Sequence, residues 1–342
     1  MCVGRRSLGT GVAELRTPVS DPQCVGPYRI VGRLGSGGMG WVYLGRSASG
    51  RAVAVKVVRP ELADDQEFRT RFAREVAAAR AVSGAFTAAV IDADTDGRLP
   101  WLATVYVPGP SLAEAVTRHG PFQESQVRRL GAGLVEALQV IHAAGLVHRD
   151  LKPSNVLLAE DGPRVIDFGI SRFAGSSAIT RPGVMIGTPA FMSPEQMTGG
   201  PAGPASDVFS LGGVLAFAAT GNGPFGGGQG LLYRVVHEEP SLDAVPDGLR
   251  DLIGRCLAKR PEPRPALAAL LDELLLPRPT RSSWPPPSVA ESIRVRTGEL
   301  AGRRAGSAGT SIPSCLLLHA QALLDAGLTD RLVVEAVSRA GG

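Results

Sequence analysis

The sequence has few cysteines, and none of them lies close to another. Its four cysteines are Cys2, Cys24, Cys256 and Cys315, which form no CxxC pair. This spacing excludes a zinc site built on paired cysteines and a dense disulfide framework. A reducing compartment is therefore the simplest interpretation, and we expect a cytoplasmic protein.

Long hydrophobic runs are also lacking. The segment 1–20 contains Arg5 and Arg6 but no continuous apolar stretch of the kind found in a signal peptide. The segment Leu211–Thr220 is among the longest apolar stretches, and it is well short of the roughly 18 residues that a membrane helix needs. We therefore expect no membrane span.

A strong charge of either sign is missing as well. The 342 residues carry a net charge of +4, with 20% charged and 44% hydrophobic residues. This composition is typical of a globular protein, and the mild positive charge does not indicate a nucleic-acid partner. The length suffices for one large domain or two medium ones.

The chain divides into segments of different character. Residues 1–27 mix glycine, arginine, serine and proline without periodicity, and we expect a flexible leader. Short β-rich runs between glycine turns predict a small antiparallel sheet with one helix over 28–107. Helical periodicity dominates 110–276. The predicted fold class is therefore α+β.

Two further segments follow. Residues 277–312 are rich in proline, arginine and glycine, and we expect a linker that cannot hold a regular helix. Residues 313–342 regain apolar periodicity, which predicts a short, partly helical tail whose role is open.

A glycine-rich loop lies between two of the predicted strands. Its residues are Gly35, Ser36, Gly37, Gly38, Met39 and Gly40. Glycines let a backbone approach phosphate oxygens closely and present N–H donors to them. A dinucleotide-binding fold would place a helix after such a loop, whereas here a strand follows. Phosphate binding and a plain glycine hairpin are the two interpretations of this motif taken alone.

A lysine on the next predicted strand favours phosphate binding. Lys56 ends a run of small and β-branched residues, Ala52–Val55. A lysine in such surroundings needs an anionic partner, because burying it unpaired is costly. Glu75, on the helix predicted over 64–82, is the natural candidate, and we expect a Lys56–Glu75 ion pair.

Two charged motifs supply the groups that phosphoryl transfer requires. Within the segment His148–Asn155, Asp150 can orient an attacking hydroxyl and accept its proton, and Lys152 adds positive charge near the transferred group. Asn155 and Asp167 offer hard oxygen ligands that suit Mg²⁺.

The order of these motifs resembles that of the eukaryotic-type (Hanks-type) serine/threonine protein kinases of bacteria, in particular actinobacterial ones. Over 28–276 the family's order is followed by the glycine loop, Val-Ala-Val-Lys56, His-Arg-Asp150-Leu-Lys-Pro-Ser-Asn, Asp167-Phe-Gly and Ser193-Pro-Glu195. The resemblance implies a bilobal protein-kinase fold, with an N-lobe over 28–107 and a C-lobe over 110–276. It also implies transfer of the γ-phosphate of ATP, with Mg²⁺ or Mn²⁺, to serine and threonine hydroxyls of proteins.

The same resemblance assigns the nucleotide site. Val105–Val107 would form the hinge that binds adenine through backbone groups, with Thr104 as the gatekeeper. The implied ATP-contacting set is Leu34, Gly35, Ser36, Gly37, Gly38, Met39, Gly40, Val42, Ala54, Lys56, Glu75, Thr104, Val105, Val107 and Leu157. Asp150 and Lys152 would be catalytic, and Asn155 and Asp167 would bind the metal.

Supporting residues follow from the resemblance as well. Lys152, two residues after Asp150, matches the serine/threonine branch of the family, and Thr188 would lie in the substrate platform near Asp150. Asp207 would brace the catalytic loop from a buried helix. Arg264 would pair with Glu195.

Regulation is expected in the segment 167–195. Thr180 aligns best with the position that such kinases autophosphorylate, and Arg149 is the expected partner of the phosphate. Pro182 stands where relatives often carry a second threonine. Autophosphorylation in trans would require self-association.

Two other functions compete with protein phosphorylation as interpretations of the sequence. A pseudokinase or nucleotide-binding scaffold usually lacks the lysine or one of the aspartates, whereas Lys56, Asp150 and Asp167 are all present. A small-molecule kinase of related fold would lack the Gly187-Thr-Pro and Ser193-Pro-Glu195 elements. The sequence therefore favours a protein kinase.

Overall fold

β-branched and aromatic residues build an antiparallel sheet in the N-terminal part of the chain. The computed structural model describes residues 21–82, 84–168, 189–276 and 284–305. The six strands of this sheet are β1 (Cys24–Val25), β2 (Tyr28–Gly37), β3 (Gly40–Arg46), β4 (Ala52–Val58), β5 (Val90–Asp94) and β6 (Trp101–Val105). Their order in the sheet is β1-β2-β3-β4-β6-β5.

The alternation of side chains along β4 separates a core face from a site face. Val53 and Val55 are both 0% exposed and belong to one apolar cluster with Tyr28 and Trp101. Because successive side chains of a strand point to opposite faces, Ala54 and Lys56 lie on the other face of the sheet. This second face of the sheet faces the helical part of the molecule.

Two helices follow β4. They are α1 (Pro60–Ala63) and α2 (Gln66–Ala81), and the Asp65 carboxylate caps α2 by accepting two backbone N–H bonds. The helix predicted over 64–82 is confirmed, and its buried residues Phe68, Phe72, Val76 and Ala79 form one apolar face. Met39, at the tip of the glycine-rich loop, is buried in the same cluster. The helix therefore packs against the loop end of the sheet.

The second part of the molecule is mainly helical. Its elements are α3 (Leu112–His119), α4 (Glu124–Ala143), the hairpin β7 (Val156–Leu158) and β8 (Pro163–Val165), α5 (Pro194–Met197), α6 (Pro204–Thr220), α7 (Leu231–His237), α8 (Asp247–Cys256) and α9 (Leu267–Leu274). Helices α4 and α6 lie at its centre, and Leu130, Leu134 and Leu138 of α4 are fully buried. The expected division into a sheet with one long helix and a mainly helical part is confirmed.

The structure differs from the sequence-based expectation at the N-terminal side of the sheet. Residues 1–27 were expected to form a flexible leader, yet β1 pairs antiparallel with β2 through Cys24 opposite Arg29. Asp21 accepts hydrogen bonds from Arg33 and Tyr43. The chain from residue 21 onward is therefore part of the sheet, because a short edge strand and one carboxylate tie it down.

A second difference lies in the expected linker 277–312. Helix α10 (Pro287–Ala305) occupies much of it. The prolines were interpreted as helix breakers, but Pro287 stands at the first position of the helix, where a missing N–H removes no hydrogen bond. Val289 and Ile293, four residues apart, are 0% and 3% exposed in the core of the helical part. Their burial stabilises the helix.

The two cysteines within the described residues differ from each other. Cys256 is free and buried, whereas Cys24 is disulfide-bonded.

In the described part of the chain, no helix has both the length and the apolar character that crossing a membrane requires.

An ion pair in the helical part confirms another expectation. The Arg264 guanidinium donates to both carboxylate oxygens of Glu195, at 2.7 and 2.9 Å. Its other N–H groups donate to the carbonyls of Ala205, Ala258 and Lys259. This pair ties the short helix α5 to the segment before α9, and all five donors of the arginine are used.

Glu195 is held as a carboxylate by these contacts. Its burial alone would raise the pKa, but hydrogen bonds from Arg264 and Ser206 outweigh it and lower the pKa from 4.5 to about 2. Because the pKa of the folded state lies below that of the unfolded state, the pair stabilises the fold above about pH 4.5. This stabilisation is lost as the pH falls from there toward 2.

We expect Glu195→Gln to lower the free energy of unfolding by about 2 to 4 kcal/mol at pH 7, since Arg264 would stay buried without its counter-charge. The difference from wild type should narrow at pH 3.5. Urea denaturation at the two pH values measures it. Glu262→Gln is the matched control, because Glu262 pairs with Arg260 at the surface and its replacement should leave the transition in place. An equal loss at both pH values would contradict this account.

Candidate active site

A cavity of about 780 Å³ lies between the sheet and the helical part. All predicted ATP-contacting residues except Glu75 line it, namely Leu34, Gly35, Ser36, Gly37, Gly38, Met39, Gly40, Val42, Ala54, Lys56, Thr104, Val105, Val107 and Leu157. The four predicted catalytic and metal residues, Asp150, Lys152, Asn155 and Asp167, line it too. The structure thus brings together groups that lie more than a hundred residues apart in the sequence.

The glycine-rich loop forms the turn between β2 and β3 at one side of the cavity. Gly37 pairs with Gly40, which leaves Gly38 and Met39 as a two-residue turn. At Gly40 a Cβ would come within 1.8 Å of the Val57 carbonyl oxygen, so the close approach of β4 demands glycine there. At Gly35 and Gly37 a Cβ would meet nothing within 4 Å. Packing does not require glycine at these two positions, which favours a ligand as the reason for it.

Lys56 has a different partner from the one expected. Its Nζ lies 3.1 Å from Oδ1 of Asp167. Glu75 instead lies 3.6 Å from the guanidinium of Arg149. The predicted Lys56–Glu75 ion pair is therefore wrong for this structure. Both Asp167 and Glu75 are candidate partners of the lysine. The placement of α2 brings Glu75 close to Arg149 instead.

The predicted catalytic residues form a cluster around Asp150. Its Oδ2 accepts hydrogen bonds from Lys152 Nζ at 2.7 Å and from Asn155 Nδ2 at 3.1 Å. Asn155 Nδ2 also donates to the Asp150 carbonyl at 2.8 Å. These bonds fix the carboxylate in place and use the amide nitrogen of Asn155, which leaves its amide oxygen as the atom suited to a cation.

A buried carboxylate supports the catalytic loop from below. Asp207 on α6 is 0% exposed and accepts the backbone N–H groups of His148 and Arg149, each at 2.8 Å. His142 Nε2 lies 2.7 Å from the same carboxylate. Arg149 has a φ of +66°, a strained value for a residue with a side chain, which must be held by its surroundings. The expected bracing role of Asp207 is confirmed.

His148 links the catalytic loop to the segment that carries Asp167. Burial lowers the pKa of this fully buried histidine, so its ring is neutral. Nε2 lies 3.2 Å from the Ile166 carbonyl oxygen and Nδ1 lies 3.3 Å from the Asp150 N–H. Because a carbonyl only accepts, Nε2 carries the hydrogen and Nδ1 accepts from Asp150.

Some residues at the cavity were not predicted from the sequence. Ser111, Glu114 and Arg296 line it on the side of the predicted hinge. The signal for Glu114 was the capping pattern that it forms with Ser111 at the start of α3. No sequence pattern indicated Arg296, because it lies in the segment expected to be a linker.

Two predicted residues cannot be placed. Thr180 and Thr188 lie outside the described residues, as does most of the predicted activation segment. In the part of the chain that the structure describes, no three acidic, histidine or cysteine side chains form a metal-binding group.

Comparison with known proteins agrees with this geometry. The model of the protein kinase domain family matches residues 28–276. The chain is 55% identical over 275 residues to the "Probable serine/threonine-protein kinase PkwA" of Thermomonospora curvata, which covers 80% of this chain and 37% of the relative. It is 54% identical over 302 residues to the serine/threonine-protein kinase AfsK of Streptomyces griseus, covering 83% of this chain and 37% of the relative.

Other relatives match over more of their own length. The serine/threonine-protein kinase PknL of Mycobacterium tuberculosis is 35% identical over 282 residues, covering 78% of this chain and 71% of the relative. Among solved structures, the kinase domain of Mycobacterium tuberculosis PknI superposes with a TM-score of 0.58 at 26% identity, covering 72% of this chain and 96% of that one. The chain spans only about a third of the length of PkwA and AfsK.

Both the family match over 28–276 and the relatives confirm the resemblance on which the sequence analysis relied. The chain belongs to the protein kinase family, in its bacterial Hanks-type branch.

Proposed function

We propose that this protein is a serine/threonine protein kinase that transfers the γ-phosphate of ATP to hydroxyls of protein substrates. One observation carries the proposal. The Asp150–Lys152–Asn155 cluster and the Lys56–Asp167 pair line the same cavity as a glycine hairpin whose Gly35 and Gly37 have no packing reason to be glycine. Phosphoryl transfer requires this combination of a proton acceptor, cations and a phosphate cradle.

The residues of the cavity fit ATP and a divalent metal. Val42, Ala54 and Leu157 supply apolar walls for a flat base, and Val105 and Val107 supply backbone groups beside it. Asn155 and Asp167 would hold Mg²⁺ or Mn²⁺ by oxygen atoms. Two protein ligands suffice because Mg²⁺ in such sites completes its shell with water and phosphate oxygens. When bound, the metal neutralises charge on the phosphates.

The chain's own groups have separate tasks in the transfer. Asp150 orients the attacking hydroxyl and accepts its proton. Lys152, 2.7 Å from that carboxylate, places a positive charge where negative charge develops on the transferred group. Lys56, which now neutralises Asp167, holds phosphate oxygens. Asp207 acts through the backbone, since it fixes the loop that presents Asp150.

The acceptor residues, the bounds of the catalytic domain and the cellular location are further parts of this proposal. Lys152 supports serine and threonine hydroxyls as acceptors, and Thr188 belongs to the platform for the substrate. The catalytic domain spans 28–276, with the lobes divided at the hinge. A cytoplasmic location supplies the ATP on which the reaction depends. Nucleic acid is not among the partners.

Regulation involves the charged pairs beside the cavity. Arg149 lies 3.6 Å from Glu75, and arginine binds phosphate in a bidentate way. Phosphate on Thr180 would attract Arg149 and release Glu75, which could then move to Lys56. Autophosphorylation in trans, within a transient pair of molecules, would thus align Lys56 for catalysis.

Activity is tested with labelled ATP, Mg²⁺ and a generic protein substrate. We expect label on serine and threonine with wild-type protein. Asp150→Asn should lower kcat by about 10² to 10⁴ fold through loss of the proton acceptor, and Lys56→Met should lower kcat/KM by about 10² fold. Asp161→Asn is the control, because Asp161 is exposed and pairs with Arg164. Wild-type protein that binds ATP but transfers no phosphate would replace this function by that of a nucleotide-binding scaffold.

The regulatory site is tested by phosphosite mapping after incubation with ATP. We expect phosphate on Thr180, and about a tenfold lower activity of Thr180→Ala toward an added substrate, which corresponds to the loss of about one strong charged contact. Ser177→Ala, in the same segment, should keep wild-type activity. Full activity of Thr180→Ala, with phosphate elsewhere, would contradict this assignment.

A further inference from the structure

Helix α10 lies outside the region that matches the family model, which ends at residue 276. It begins on the helical part of the molecule. Trp284 Nε1 donates to the Ala159 carbonyl at 3.2 Å, just before the helix starts. Val289 and Ile293 are buried in the core there. These apolar contacts fix the first half of α10 to the C-lobe, and they determine the direction in which the rest of the helix runs.

The middle of α10 reaches the nucleotide cavity through one side chain. The Arg296 guanidinium donates to the Gly109 carbonyl at 2.6 Å and to Oε2 of Glu114 at 3.0 Å. Its side chain is mostly buried, and Arg296 lines the cavity together with both partners. Gly109 lies just after the predicted hinge and Glu114 lies on α3, which follows it, so Arg296 lies at the hinge-side rim of the site.

The far end of α10 touches the N-lobe. The Leu300 carbonyl accepts a hydrogen bond of 2.5 Å from Arg46, a buried residue at the end of β3. Strand β3 is half of the glycine hairpin. One helix therefore contacts the C-lobe, the rim of the cavity and the sheet that carries the phosphate loop.

The charges around Arg296 favour a fixed rim. Burial alone would raise the pKa of Glu114, but the Ser111 N–H and the Arg296 guanidinium outweigh it and lower the pKa, which keeps Glu114 anionic. Both donors meet the same oxygen, Oε2. Glu299, also on α10, acts on Tyr106 of the hinge. Arg296 thus pairs with Glu114, and Arg118 adds a second positive charge near the same carboxylate.

We propose that Arg296 is a positioning residue for the nucleotide, supplied by a helix outside the catalytic domain. It completes the wall of the cavity at the end opposite the Lys56–Asp167 pair. It holds Glu114 and the Gly109 carbonyl in the positions that the base and sugar of ATP require. This inference rests on the proposed function, because ATP is taken as the ligand.

The test compares two arginines of the same helix in the full chain. Arg296→Met keeps the length and apolar stem of the side chain but removes its hydrogen bonds. Arg294→Met is the matched control, because Arg294 is 68% exposed and pairs with Glu291. We expect the dissociation constant of ATP, measured by calorimetry, to rise about tenfold in Arg296→Met and to stay unchanged in Arg294→Met. A charged hydrogen bond is worth about that much.

Kinetics separate positioning from a general loss of structure. The KM for ATP should rise in parallel with the dissociation constant, while kcat changes less than about twofold and the melting temperature stays near that of Arg294→Met. Arg296→Lys should restore part of the affinity. Glu114→Gln should weaken ATP binding as well, and the double variant should lose less than the sum of the two, because the residues act as a pair.

The outcomes distinguish this inference from the proposed function. If wild type phosphorylates protein and Arg296→Met binds ATP as tightly as the control does, Arg296 has no role in nucleotide binding. If wild type binds ATP without transferring phosphate, the proposed function fails, while the binding measurements on the two variants still decide the role of Arg296. If wild type does not bind ATP at all, both are overturned.

Discussion

The carboxylate of Asp207 is the constraint on which the active site depends. It is fully buried, and it accepts the N–H groups of two successive residues of the catalytic loop together with a hydrogen bond from His142. These bonds hold Arg149 in a left-handed conformation that a residue with a side chain rarely adopts. The turn in the backbone at this point directs Asp150 and Lys152 into the cavity. A buried charge without such partners would be costly, so helix and loop stabilise each other.

Four charged side chains beside the cavity form two pairs, and the regulation proposed above would exchange their partners. Lys56 pairs with Asp167, and Arg149 pairs with Glu75. In the alternative arrangement Lys56 would meet Glu75, Asp167 would turn to the metal, and Arg149 would turn to a phosphate. Every charge has a partner in both arrangements, so the free-energy difference between them is small compared with the cost of an unpaired buried charge. Under that proposal, a single phosphate would select one of them.

Much of the fold and the site follows from the sequence because local rules and the motifs agree. Period-2 runs, the apolar face of α2 and the capping pattern at Ser111 all depend on neighbours in the sequence. The motif residues lie together in the structure because each is at the end of a strand or on a loop, and the fold places these strand ends and loops next to one another. Thr180 and the rest of its segment stay predictions.

Other features depended on information that the sequence does not hold locally. The partner of Lys56 is decided by how α2 is placed against the sheet, which no nearby residue specifies. Helix α10 was not predicted, because the prolines before it were interpreted as part of a linker. Its two buried apolar residues, Val289 and Ile293, are too few to show helical periodicity. The strand β1 has only two residues, too few for any periodicity.

The position of α10 shows that the family match and the hydrophobic core end at different residues. The match to the family ends at residue 276, yet Val289 and Ile293 fill space in the same core as α4 and α6. A chain cut at residue 276 would expose that apolar surface to water, and the hydrophobic effect would then favour its contact with other molecules. The same surface that anchors the helix would become a source of aggregation. The match to the family model ends at residue 276, whereas the hydrophobic core extends at least one helix further.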